Sequence, residues 1–180
     1  MKIIKTLTLF ILLINFSQIV AQEDIQTEQN RNETVFQGLH IGVVQPLLSI
    51  NQGTTSTIAD DDFFSIGFPI GITFKTHCKL LFDVEFVPFI NPGNDTSPNT
   101  THLLFHPGLL WPLGKGFTLG FRAAFELGQG QYGFTPLLNK AFEFKNGAAF
   151  FTELVLPGRF GPDQNSGYTQ VVALHLGIGF

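Results

Sequence analysis

The strictest constraint in this chain is a two-residue hydrophobic period. In Phe64-Ser-Ile-Gly-Phe-Pro-Ile-Gly-Ile-Thr-Phe74, the residues Phe64, Ile66, Phe68, Ile70, Ile72 and Phe74 share one face of an extended segment. Ser, Gly, Pro, Gly and Thr take the other. Phe117 to Leu127 repeats the pattern, with Phe117, Leu119, Phe121, Ala123, Phe125 and Leu127 opposite Thr118, Gly120, Arg122, Ala124 and Glu126. Leu80 to Phe86 sets Leu80, Phe82, Val84 and Phe86 against Asp83 and Glu85. The same alternation marks Leu39 to Val44, Leu103 to Leu113, Phe134 to Phe142, Ala148 to Leu156 and Val172 to Phe180. No 3.6-residue period competes, so eight strands and an all-β chain are predicted.

A soluble sandwich also alternates, so the decision rests on which face carries the bulk. The bulky face here is Phe, Leu, Ile and Val, while the other mixes small residues with Arg, Glu, Asp and His. In a small soluble barrel the bulk points inward and the outside is dense in Lys and Glu. Only 13% of these residues are charged, against 44% hydrophobic, with 21 Phe and 19 Gly. An apolar exterior around a narrow interior of glycine, small polar and a few charged residues predicts an eight-stranded antiparallel transmembrane β-barrel.

The connections agree. They run long (Leu47 to Asp62), short (Lys75 to Lys79), long (Asn91 to Thr101), short (Gly114 to Gly116), medium (Gly128 to Gly133), short (Lys145 to Gly147) and long (Pro157 to Tyr168). Tight turns on one side and loops on the other are expected of strands crossing a membrane, with Cys78 in a periplasmic turn and the longer loops extracellular.

Ahead of the strands, Lys2 and Lys5 precede the apolar run Leu7 to Phe16, which ends in Ser17-Gln-Ile-Val-Ala21-Gln22. This reads as a signal peptide over residues 1–21, too short to span a membrane. Residues 22–33 are polar and aperiodic, a flexible periplasmic leader, and the barrel is assigned to 34–180. Loss of the signal removes two lysines and leaves eight basic against fourteen acidic residues, a charge of −6. That charge disfavours nucleic acid as a partner. One cysteine permits neither an internal disulfide nor a thiolate zinc cluster.

The terminal segment Val172-Ala-Leu-His-Leu-Gly-Ile-Gly-Phe180, with Val172, Leu174, Leu176, Ile178 and Phe180 on one face, resembles the C-terminal assembly signal of bacterial outer-membrane barrels. With the Phe-rich strands and Val20-Ala-Gln22, the chain resembles the outer membrane protein beta-barrel domain proteins common in Bacteroidetes. The resemblance implies insertion by the barrel-assembly machinery and residence among outer-membrane lipid and lipopolysaccharide. It implies no activity, since such barrels include adhesins, structural anchors and a few lipid-modifying enzymes.

The strands offer little chemistry. His102 and His106 share a face but lie about 13 Å apart at ~3.3 Å per residue, too far for one ion. His40 and His175 are inward on strands that become neighbours on closure, yet two ligands do not make a metal site. Asp60-Asp61-Asp62 reads as a solvated acidic loop. A hydrolase would need Ser, His and an acid at one depth; Ser65 has no histidine in its own segment, and His102 is the only candidate base. Eight strands exclude a wide pore. A monomeric, non-enzymatic barrel without cofactor is expected, with a structural or adhesin-like surface role through its loops. The alternative is a narrow channel or lateral path for small or hydrophobic solutes, and an outer-membrane lipid-modifying enzyme is a weaker one.

Running the strands alternately up and down places His40, Glu85, His106, Arg122, Glu153 and His175 inward at one level, with Asp83 one step below. Arg122 is read as the only inward Arg or Lys in a strand and hence as the hub of a lumen polar network. Lys140 falls outward near the periplasmic end, where its stem can snorkel.

Overall fold

The computed structural model describes residues 35–60, 63–91, 99–128, 130–161 and 167–180. The expected signal peptide and leader, Asp61, Asp62 and parts of two long links lie outside them. The strands are β1 (Phe36–Asn51), β2 (Thr54–Thr57), β3 (Ile66–Gly67), β4 (Ile70–Lys75), β5 (Leu81–Asn91), β6 (Asn99–Gly114), β7 (Phe117–Glu126), β8 (Tyr132–Glu143), β9 (Ala149–Val155), β10 (Gly158–Phe160) and β11 (Tyr168–Gly179).

These make eight staves. β3 and β4 are two halves of one stave, broken at Phe68-Pro69, and β9 and β10 are halves of another, broken at Leu156-Pro157. Each break contains a proline, which has no N–H to give the ladder. Every stave pairs antiparallel with the next, and β11 returns to β1 from His40↔Gly179 to Asn51↔Thr169. The result is a closed, all-β, eight-stranded antiparallel barrel. The closing seam ends on Phe180, whose N–H donates to the Leu39 carbonyl at 3.0 Å while the Leu39 N–H donates to the Phe180 carbonyl at 2.8 Å.

At one end Gly114, Lys115 and Gly116 all have positive φ, and the chain reverses between β6 and β7 almost at once. At the other end Gln52 and Gly53, both at positive φ, join β1 to β2 as a two-residue hairpin. The expected loop Leu47 to Asp62 is therefore largely strand: Thr54–Thr57, β-branched residues with one Ser, pair back on Leu48–Asn51. The expected loop Pro157 to Tyr168 is shortened in the same way by β10, which pairs with both β8 and β11.

The faces alternate as the two-residue period requires. In β7, Phe117, Leu119, Phe121 and Phe125 are exposed, while Gly120, Arg122, Ala124 and Glu126 are buried. One expectation needs correction. The interior is not only glycine, polar and charged groups: Val44, Val87, Leu104, Leu137, Val155 and Ala173 are buried there, with Phe89, Leu110 and Val171 packed against them. An eight-strand lumen is narrow enough for side chains to fill, and apolar groups fill it without the desolvation cost of unpaired polar ones.

Candidate functional site

At mid-height every stave turns a polar side chain inward. Arg122 on β7 is the centre. Its Nε donates to Asp83 Oδ2 at 2.8 Å, its Nη1 donates to Glu153 Oε1 at 2.9 Å, and its Nη2 lies 3.6 Å from Glu85 Oε2. All four residues are buried, Asp83 completely. A planar guanidinium suits this position because its fork of donors serves several carboxylates at once.

The acids are satisfied from the other side as well. Thr73 on β4 donates its hydroxyl to Asp83 Oδ1 at 2.8 Å, and Asn139 on β8 donates to Glu153 Oε2 at 3.2 Å. Imidazoles complete the set. His40 Nε2 is 3.2 Å from Glu85 Oε2, His106 Nδ1 is 3.3 Å from Glu85 Oε1, and His175 Nδ1 is 3.3 Å from Glu153 Oε1. A buried carboxylate left unpaired is costly, and each of these has at least two partners.

The structure thus brings His40, Asp83, Glu85, His106, Arg122, Glu153 and His175 into one layer of hydrogen bonds and ion pairs. His40 and His175 are not bonded to each other: the Phe151 ring stands edge-on to both, with centroids 6.1 and 4.9 Å away. His175 Nε2, packed near Gly42, has no hydrogen-bond partner.

Sequence reasoning missed Arg159. It is buried, and its Nη2 lies 3.1 Å from His106 Nε2, so Arg122 is not the only inward base in a strand. It falls in the expected loop Pro157 to Tyr168, yet the two-residue parity that carries Glu153 and Val155 inward continues unbroken through Pro157 to Arg159. Because arginine can only donate, His106 Nε2 must accept, which leaves the His106 proton on Nδ1, facing Glu85. Thr73 and Asn139 also went unnoticed, although each stands opposite its acid in the register.

The remaining residues singled out from sequence lie elsewhere. His102 contacts the buried Glu126. Ser65 and His102 line the same cavity, and no hydrogen bond joins them. Asp60 accepts from the Thr57 N–H at 2.6 Å in an exposed turn. Lys140 lies outward with its ammonium 4.4 Å from the Phe117 ring centroid. Val172, Leu174, Leu176, Ile178 and Phe180 form the outward face of the last stave, ending in the closing seam. Among the described residues no cluster of three or more His, Cys, Asp or Glu is arranged to hold a metal.

The layer divides the lumen. On the loop side is a cavity of about 270 Å³, and on the turn side one of about 320 Å³; Arg122 and Glu153 border both.

Fold and site together define a closed eight-stranded β-barrel with a salt-bridged plug. No family model matches the chain, and no curated protein matches it. Among solved structures it is similar to Ail, the attachment invasion locus protein of Yersinia pestis, crystallised with the heparin analogue sucrose octasulfate. The TM-score is 0.42 and the identity 11%, over 79% of this chain and 95% of that one.

Proposed function

We propose that this chain is an integral outer-membrane barrel of a Gram-negative bacterium, exported by its signal peptide, with a structural or surface-interaction role exerted through its loop end. One observation carries the reading. Ile41, Ile70, Phe86, Leu109, Phe121, Leu138, Leu154 and Leu176, one on each stave, are each 41–57% exposed. A ring of apolar side chains facing out all the way round is stable only where lipid is the solvent. Among the described residues, Lys140 is the one charged side chain on the outward face of the staves, near the turn end where a headgroup can take it.

In this reading the neighbours are outer-membrane lipid and lipopolysaccharide, and the barrel-assembly machinery reads Val172 to Phe180. Closure leaves no unpaired stave edge, which favours a monomer. The charged layer argues against an open channel, because its side chains meet across the lumen, and the reading includes no cofactor and no catalytic step.

The test has two arms. The mature chain should fold only with detergent or lipid, showing heat-modifiable migration, and in planar bilayers it should give no steady conductance. On intact cells, added protease should cut at the loop end alone. Detergent-free folding to a monodisperse protein would overturn the membrane assignment, and stable conductance steps would replace the plugged barrel with a channel.

A further inference from the structure

The loop-side cavity has a built character that a plugged structural barrel does not require. Its walls are apolar, from Val44, Val87, Phe89, Leu104 and Val155 among others, and its floor is the charged layer. Arg159 stands in its side. The four buried carboxylates of the lumen each have a base within 4 Å: Asp83, Glu85 and Glu153 have Arg122, and Glu126 has His102. Arg159 is different. Its Nη1 donates to the carbonyls of Phe134 and Gly158 and to the Thr135 hydroxyl, at 2.9, 3.1 and 3.1 Å, and its Nη2 donates to His106. Among the described residues no carboxylate lies within 4 Å of it. Nε–H and the second Nη2–H have no acceptor there, although the side chain is buried.

Arg159 is therefore a cation with no described carboxylate within 4 Å, held by four neutral acceptors. Two free N–H groups are what a carboxylate uses in a bidentate pair with arginine. An apolar enclosure with a few fixed polar groups is the usual form of a small-molecule site. We propose that the loop-side cavity binds a small amphiphile, an apolar chain with a carboxylate head, and that Arg159 takes the head. The apolar body lies along Val87 and Leu104. Of the acids already present, Asp83, Glu85 and Glu153 share the Arg122 guanidinium and Glu126 contacts His102, so among the described residues the one cation with free donors in the cavity wall is Arg159. The site goes beyond the surface role proposed above, and it belongs to the lumen whether or not the exterior faces lipid.

Isothermal titration of the full-length folded barrel in zwitterionic micelles tests this, with decanoate, decanol and decylamine as probes and empty micelles subtracted. Decanoate should bind at least tenfold more tightly than either of the others. Arg159→Met should abolish that preference and leave decanol binding within about twofold. Val87→Trp, which fills the cavity, should weaken decanoate and decanol alike. Equal binding of decanoate and decanol by the wild-type barrel, or tighter binding of decylamine, overturns the assignment without recourse to any variant. Undiminished decanoate binding by Val87→Trp would do the same, since it would place the molecule in the micelle or elsewhere on the barrel.

Discussion

Arg122 bonds to Asp83 across a strand that separates them. In the register Asp83 stands opposite Gly108, and Gly108 opposite Arg122, so the guanidinium passes over a position that has no side chain. The device recurs at His40, which faces Gly71, which in turn faces Glu85. A side chain at Gly71 would fall on the His40 ring, and one at Gly108 would come within 2.5 Å of Arg122 Cγ and 2.7 Å of the Phe121 carbonyl oxygen. These inward glycines make room for the plug.

Gly108→Ala should therefore destabilise the barrel by about 1–3 kcal/mol, the usual range for overpacking. Gly179→Ala should change stability by no more than about 0.5 kcal/mol, since its Cβ would meet only the Leu39 carbonyl oxygen, at 3.7 Å. Urea unfolding of the two variants in lipid bilayers checks the contrast. Equal effects would show that the glycines serve strand curvature instead.

Arg122→Met keeps much of the volume and removes the charge that Asp83, Glu85 and Glu153 share. Stranding buried acids costs on the order of 3–5 kcal/mol. Bilayer unfolding at neutral pH should register that loss, and a change under 1 kcal/mol would mean that water solvates each acid separately.

Phe121, exposed on the outer face of β7 at the level of the Arg122 layer, should resist a charge. Phe121→Arg is expected to lose roughly 2–4 kcal/mol in a bilayer, with smaller losses for the same change nearer the rims. Phe68, also on an apolar face by its two-residue period, falls in the break between β3 and β4 and is only partly exposed, which makes Phe121 the cleaner position.

Deleting Phe180 removes both of the hydrogen bonds that it exchanges with Leu39 and the last apolar residue of the outward face. Expression of the truncated chain should leave protease-sensitive protein in the periplasm and little heat-modifiable barrel in the outer membrane. Wild-type levels in outer-membrane fractions would remove Phe180 from the assembly signal.

The amino-acid sequence by itself determined which side chains share a face. Parity is local: a two-residue period needs only the pleat, so the outward Phe117, Leu119 and Phe121 and the inward Arg122 were legible without any partner strand. It also determined the number of staves, because turn residues such as Gly114-Lys115-Gly116 punctuate the period. Register was another matter. A one-residue slip exchanges the faces and is visible in the pattern, but a two-residue slip preserves every face and is not. Only closure of the barrel decides that Gly108 stands between Asp83 and Arg122, or that Arg159 arrives beside His106 from 53 residues away. The same holds for the strand beyond Pro157: parity carries as far as Arg159, but its three residues exist as β10 because β8 and β11 supply their hydrogen bonds. The plug and the cavity above it are products of register, a property of pairs of strands that no single segment carries.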